Sequence, residues 1–209
     1  MDMKKLFAFI SALALAVTSF AQTPEEIVDR MGEAMDKLEN TGLRMTMDIK
    51  IPILGTMSTV AWSLGDKMRM EAEAMGKKII TWMDNDTEWT YTADDNTVTI
   101  KNRDAKKPSS EQENMKMLDS VTEGYDVFLK KETDQAWYLQ CKKNKSNTKK
   151  DDPKTMDLVI AKGTYHPISL SARVSGITVT MRDLGFNVTE KQVTFNEADC
   201  PGATIVDKR

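Results

Sequence analysis

The residue types that carry most enzyme chemistry are scarce in this chain and far apart. His166 is the single histidine, and there are two cysteines, Cys141 and Cys200. A nucleophile is activated by a base held within hydrogen-bond reach. His166 precedes Pro167 at the start of an apolar stretch and reads as a surface or edge residue. The three side chains together would supply at most three zinc ligands, at no recognisable spacing. The acidic groups at 84–86 and 94–96 read as hairpin turns, and neither loop holds enough oxygens for calcium. No glycine-rich phosphate loop is present. The chain is therefore expected not to be an enzyme and to use no cofactor or metal. What it does have is apolar and adaptable: 15 Met against 6 Phe, with 4 Trp. Methionine is unbranched and fits irregular or variable partners.

The elements that must position these residues can be read from pattern. Lys4 and Lys5 precede the apolar run 6–17, followed by Ser19-Phe20-Ala21. This is the layout of a signal peptide cleaved after Ala21. The run is shorter than the ~20 residues a spanning helix needs. Thr23-Pro24-Glu25-Glu26 is a helix start with a capping box. Ile27, Met31, Ala34, Met35 and Leu38 then share one face, and Asn40-Thr41-Gly42 ends the helix. From Leu43 the period becomes two. Leu43, Met45, Met47, Ile49, Ile51 and Ile53 alternate with Arg44, Thr46, Asp48, Lys50 and Pro52, which predicts a half-buried strand. Further strands follow at turn spacings of an antiparallel meander. A polar connection and a second short helix over 110–121 interrupt it. The meander resumes at 125–130 and runs through 188–195 to 204–206, giving about a dozen strands. One domain over 22–209 is expected.

Charge and composition exclude several classes. Net charge is −3, from 29 basic and 32 acidic residues, which lacks the basic footprint of a nucleic-acid binder. The exception is residues 142–154, KKNKSNTKKDDPK. This stretch reads as a solvated hairpin tip, or as a docking surface for an acidic partner or anionic lipid head groups. Export to an oxidising compartment makes Cys141–Cys200 a candidate disulfide, with two buried thiols as the alternative.

A sheet of ten or more strands must curl or split to bury its apolar face. Curled, it encloses more space than its own side chains fill. A hollow lined by Met and Trp is one outcome, and an ordinary packed β-sandwich core is the other.

Three stretches carry a family resemblance: 80–91, ITWMDNDTEWTY; Asp157-Leu158-Val159-Ile160 with Gly163-Thr164 and Pro167-Ile168; and Val193-Thr194-Phe195 with 201–207, PGATIVD. With the order of elements, they make the chain resemble the outer-membrane lipoprotein carrier family, the LolA-like proteins. The resemblance spans nearly the whole chain after residue 21. It implies an incomplete antiparallel β-barrel of about 11–12 strands, covered by the N-terminal and central helices. It also implies a monomeric periplasmic carrier that holds lipoprotein acyl chains, receives them from an inner-membrane transporter and passes them to an outer-membrane acceptor. The family's Arg-Pro after the Trp-containing strand is replaced here by Gly65-Asp66-Lys67-Met68-Arg69. On this reading Met45, Met47, Ile49, Trp62, Met68, Met70, Trp82, Trp89 and Tyr91 line the hollow, and Met31, Met35 and Leu38 face it from the lid helix. Each buried acyl CH₂ would contribute ~0.8 kcal/mol. The rival readings are a LolA-like periplasmic sensor or interaction module and, with no nucleophile–base pair to support it, a lipid-directed enzyme.

Overall fold

Thr23 and Glu26 cap each other as their spacing requires. Thr23 Oγ1 accepts from the Glu26 N–H at 3.2 Å, and Glu26 Oε2 accepts from the Thr23 N–H at 3.1 Å. Such a cap contributes about 1 kcal/mol. Helix α1, Pro24–Asp36, starts there and buries Ile27, Val28, Met31 and Met35 along one side. The computed structural model describes residues 22–74, 76–103, 120–150 and 152–209. The signal peptide and nearly all of the predicted central helix lie outside the described residues. Among the described residues no helix is long and apolar enough to cross a membrane.

The chain leaves α1 through Gly42, whose φ is +79° and whose absent Cβ would lie 2.6 Å from Val188 Cβ. Only glycine fits that turn. Six strands then follow: β1 Leu43–Ile51, β2 Gly55–Leu64, β3 Lys67–Ala74, β4 Lys77–Met83, β5 Thr87–Thr92 and β6 Thr97–Asn102. The second run is β7 Tyr125–Glu132, β8 Ala136–Lys143, β9 Thr155–Ala161, β10 Pro167–Val174 and β11 Ile177–Phe186, with β12 Thr204–Asp207 last. All join one 12-stranded sheet in the order β12-β6-β5-β4-β3-β2-β1-β11-β10-β9-β8-β7. The first meander grows away from β1. The second starts at the far edge and works back until β11 pairs with β1, setting Met47 opposite Met181. The sheet stays open, with β7 and β12 as its edges.

Three expectations are corrected. The sheet is not wholly antiparallel, because β12 runs parallel to β6. β1 stops at Ile51 short of the predicted Ile53: Pro52, Ile53 and Leu54 form the turn, with Ile53 at φ +74°. The predicted strand over 188–195 is instead a turn of helix, α2 Glu190–Val193, where the Thr189 N–H donates to Gln192 Oε1 at 2.8 Å. Val188, Val193 and Phe195 suit either period, and the local cap decides.

Two apolar clusters result, on opposite faces. On one face α1 packs over β1 and β7–β11, with Met45, Trp137, Leu139, Leu158, Ile160, Leu170 and Met181 beneath it. On the other face the segment between β11 and β12 covers β4–β6, where Phe195 and Cys200 meet Ile80, Trp82 and Val98.

Candidate functional site

The register decides which predicted lining residues share a surface. Met45 lies opposite Ala61, Met47 opposite Thr59 and Ile49 opposite Met57. Ala61 in turn faces Met70, and Ser63 faces Met68. Met45, Met47, Ile49, Met68 and Met70 therefore stand together on the face that α1 covers. The next rung places Thr81 opposite Met70 and Met83 opposite Met68. Trp82 instead lies opposite Arg69, and Trp89 opposite Trp82. Trp62, also opposite Arg69, joins them, as does Tyr91 opposite Ile80. The nine residues expected on one surface thus divide, and the four aromatic ones stand on the far face.

On that far face the aromatic residues form a packed core. Phe195 stacks on Trp89 with ring centroids 5.5 Å apart and meets the edge of Trp82 at 5.3 Å. The Arg69 guanidinium lies 5.4 Å from the ring centroids of both Trp62 and Trp82, and Arg44 lies 5.6 Å from Trp62. Arg69 also pairs with Glu71. Arg69 thus points away from α1, as the alternation in β3 requires.

The helix-covered face is the stronger candidate site. Met31 and Met35 are each 1% exposed and reach down from α1, with Leu38 packed at the margin. Beneath them the sheet supplies an almost wholly apolar floor that includes Met45, Met156 and Met181. The same face continues over β2–β4 as Ala61, Met70 and Thr81, each half-buried. Sequence reasoning missed the floor supplied by β8–β11. Its signal was present in the alternation of Trp137, Leu139 and Cys141 in β8 and of Met156, Leu158 and Ile160 in β9.

Polar contacts hold α1 at its rim. The Tyr165 hydroxyl, in the turn between β9 and β10, accepts from Arg30 Nη1 at 3.0 Å and hydrogen-bonds the Gln22 side-chain amide at 3.0 Å. The Tyr165 ring stacks on Trp137 with centroids 5.1 Å apart. Tyr165 adopts φ +59°, a left-handed conformation rare for a bulky residue. A depression of about 530 Å³ opens beside it, between α1 and this turn, lined by Arg30, Ala34, Lys37, Leu38, Tyr165 and His166. His166 thus lies at the seam between helix and sheet.

The candidate disulfide is not formed. Cys141 and Cys200 are both free and buried, one in each apolar cluster. Cys141 faces α1 from β8, whereas Cys200 packs on the opposite face, so the sheet itself separates them. Burial pushes the Cys141 thiol up to about 11 and raises Cys200 as well, with Asp157 and Asp199 adding to the respective effects.

No protein-family model matches the sequence, and no curated protein matches it. Among solved structures the chain is similar to the Mycobacterium tuberculosis lipoprotein LppX, with 11% identity over 80% of this chain and 98% of that one and a TM-score of 0.51. It is also similar to an uncharacterized conserved protein from Thermus thermophilus, with 17% identity, 90% and 100% coverage and a TM-score of 0.45. A LolA superfamily protein from Nitrosomonas europaea is similar at 11% identity, 85% and 100% coverage and a TM-score of 0.34. At these identities the likeness is one of fold, and the LppX structure carries it. An open, mostly antiparallel sheet of 12 strands with an N-terminal helix laid on one face is a LolA-like fold.

Proposed function

We propose that the protein is a periplasmic carrier that binds lipid acyl chains between α1 and the sheet. The observation that carries this reading is the composition of that interface. A helix bearing Ile27, Val28, Met31 and Met35 covers a sheet surface of the same character, and five methionines are buried between them. Displacing the helix would bare a continuous apolar floor long enough for acyl chains, with methionines that reshape around them. The rim contacts at Tyr165 are polar and local, so the helix can move without breaking the sheet.

The signal-peptide pattern at 1–21, with cleavage after Ala21, supports delivery to the periplasm. Transfer from an inner-membrane donor to an outer-membrane acceptor is the role this reading assigns, by binding and release as a monomer, with no chemical step.

Native mass spectrometry of protein taken from its own compartment tests the proposal. Acyl-chain ligands should co-purify, or a fluorescent fatty acid should bind and be displaced by lipid. Protein that arrives empty and takes up no probe would overturn the reading in favour of a solid core.

A further inference from the structure

The turn between β1 and β2 spends stability in two ways that the fold does not require. Ile53 and Leu54 are 105% and 79% exposed, whereas every other exposed large apolar side chain described is at or below 46%. Ile53 also sits at φ +74°, in the left-handed region where a β-branched residue is strained and Asn or Gly is not. Single exposed apolar residues are common on soluble proteins. Adjacent ones, at the tip of a hairpin and in a disfavoured conformation, point to a role outside the fold.

The strand pairing shows what accompanies this tip. The β1–β2, β8–β9 and β10–β11 connections all leave the sheet at the same end. The β8–β9 connection is the lysine-rich stretch, with Lys145, Lys149, Lys150 and Lys154 exposed, and Lys50 and Arg173 flank the other two turns. Asp152 in this stretch is engaged by the Asn147 side chain at 2.8 Å. At the opposite end the β2–β3, β4–β5 and β7–β8 turns carry Asp66, Asp84, Asp86 and Asp134. One end of the sheet thus joins an apolar projection to the basic β8–β9 and β10–β11 connections, with Asp94 and Asp95 in its β5–β6 turn, where Asp94 pairs with Lys77; the opposite end mixes its aspartates with Lys67, Arg103 and Lys162.

We infer that this end docks on the surface of an anionic lipid bilayer, with Ile53 and Leu54 entering the interfacial zone and the lysines meeting the head groups. Apolar insertion combined with nearby basic residues is what a reversible bilayer contact needs, since either alone is weak. An acidic protein surface would satisfy the lysines but gives no reason for two bare aliphatic side chains to project beyond them. The inference does not depend on the cargo, because the tip lies outside both apolar clusters.

Vesicle flotation tests it. The purified protein should float with phosphatidylglycerol-containing vesicles, bind phosphatidylcholine vesicles at least tenfold less, and be released at ~0.5 M salt, where charges are screened within a few Å. The double variant Ile53→Asn/Leu54→Ser should bind at least tenfold more weakly while melting at the same or a higher temperature, because Asn tolerates the left-handed turn. Lys145→Glu/Lys149→Glu/Lys150→Glu should lose the preference for anionic vesicles. A Met47→Glu variant that no longer binds acyl probe should still float, which separates docking from cargo binding. Failure of the unaltered protein to bind anionic vesicles, or undiminished binding by the tip variant, would overturn the inference. So would a concentration-dependent dimer that binds no vesicles and dissociates in the tip variant, which would assign the tip to a second copy of the chain.

Discussion

The Tyr165 hydroxyl accepts a hydrogen bond from Arg30 Nη1 at 3.0 Å, and this contact ties the middle of α1 to the turn between β9 and β10. The Arg30 guanidinium also lies 5.4 Å from the Tyr165 ring centroid. Trp137, stacked on the ring with centroids 5.1 Å apart, roots the tyrosine in the floor of the apolar site. The arrangement can act as a latch, because it joins lid to sheet at the rim while leaving the apolar interface continuous.

Tyr165→Phe keeps the ring stack and removes the hydrogen bonds. The loss to global stability should be about 1 kcal/mol, the net worth of an ordinary hydrogen bond. Opening of α1 should rise by the matching factor of about 5. Hydrogen exchange should quicken across Pro24–Asp36 and not in the β4–β6 region, and an acyl probe should associate and dissociate faster. Exchange in α1 that matches the unaltered protein would mean that the Tyr165 contacts do not hold the helix.

Much of this fold was legible because alternation and turn residues state strand positions directly. The face of each strand was less so. β3 shows its sides plainly, with Met68 and Met70 against Arg69 and Glu71. β4 does not, since Ile79 and Met83 on one side match Ile80 and Trp82 on the other. Only turn length resolves it. The connection at 75–76 pairs Ala74 with Lys77, so that Met83 falls beside Met68 and Trp82 beside Arg69. A side chain moved by one position changes face, and the tryptophans expected in the hollow were moved in that way. The cysteine pairing failed for a related reason, because sequence separation says nothing about which side of a sheet each thiol occupies.

The two thiols give a direct check of that separation. Both are buried, and Cys141 is held near 11 by burial, so at neutral pH neither offers much thiolate. Native protein should react slowly with a thiol reagent. Unfolded, unreduced protein should release two titratable thiols at once. A protein with none on unfolding would restore the bridge and require the two clusters to meet.

Asp48 and Arg182 join β1 to β11, the seam between the two meanders. Arg182 Nε donates to Asp48 Oδ2 at 2.6 Å. This bond, and a second from Ser58, hold the Asp48 carboxyl below its ordinary value of 3.8. A depressed carboxylate stabilises the fold fully above its unfolded value, and that contribution fades as pH falls through the lower folded value. Asp48→Asn should therefore lower the melting temperature near neutral pH. The gap from the unaltered protein should narrow progressively below about pH 4. A gap that stays constant into acid would mean that packing at the seam, and not the charge, is what Asp48 supplies.

The division of the predicted lining into two faces makes its own prediction. Met47 and Met70 are half-buried on the helix-covered face, whereas Trp82 is 0% exposed on the far face beneath Phe195. A carboxylate at Met47 or Met70 can keep contact with water while the site is empty, so Met47→Glu and Met70→Glu should fold with losses of about 1–2 kcal/mol. Each should lose acyl-probe binding, because the charge must shed its water when a chain enters. Trp82→Ala should do the reverse. It opens a cavity in a packed cluster and should destabilise by about 3–5 kcal/mol. Its folded fraction should still bind probe with unaltered affinity. Trp82→Phe should be milder, since the indole Nε1 has no hydrogen-bond partner among the described residues. Melting curves and probe titrations on the four variants decide between the faces. Severe unfolding of both Glu variants would make the helix-covered face a solid core, and loss of probe binding in folded Trp82→Ala would move the site to the other side of the sheet.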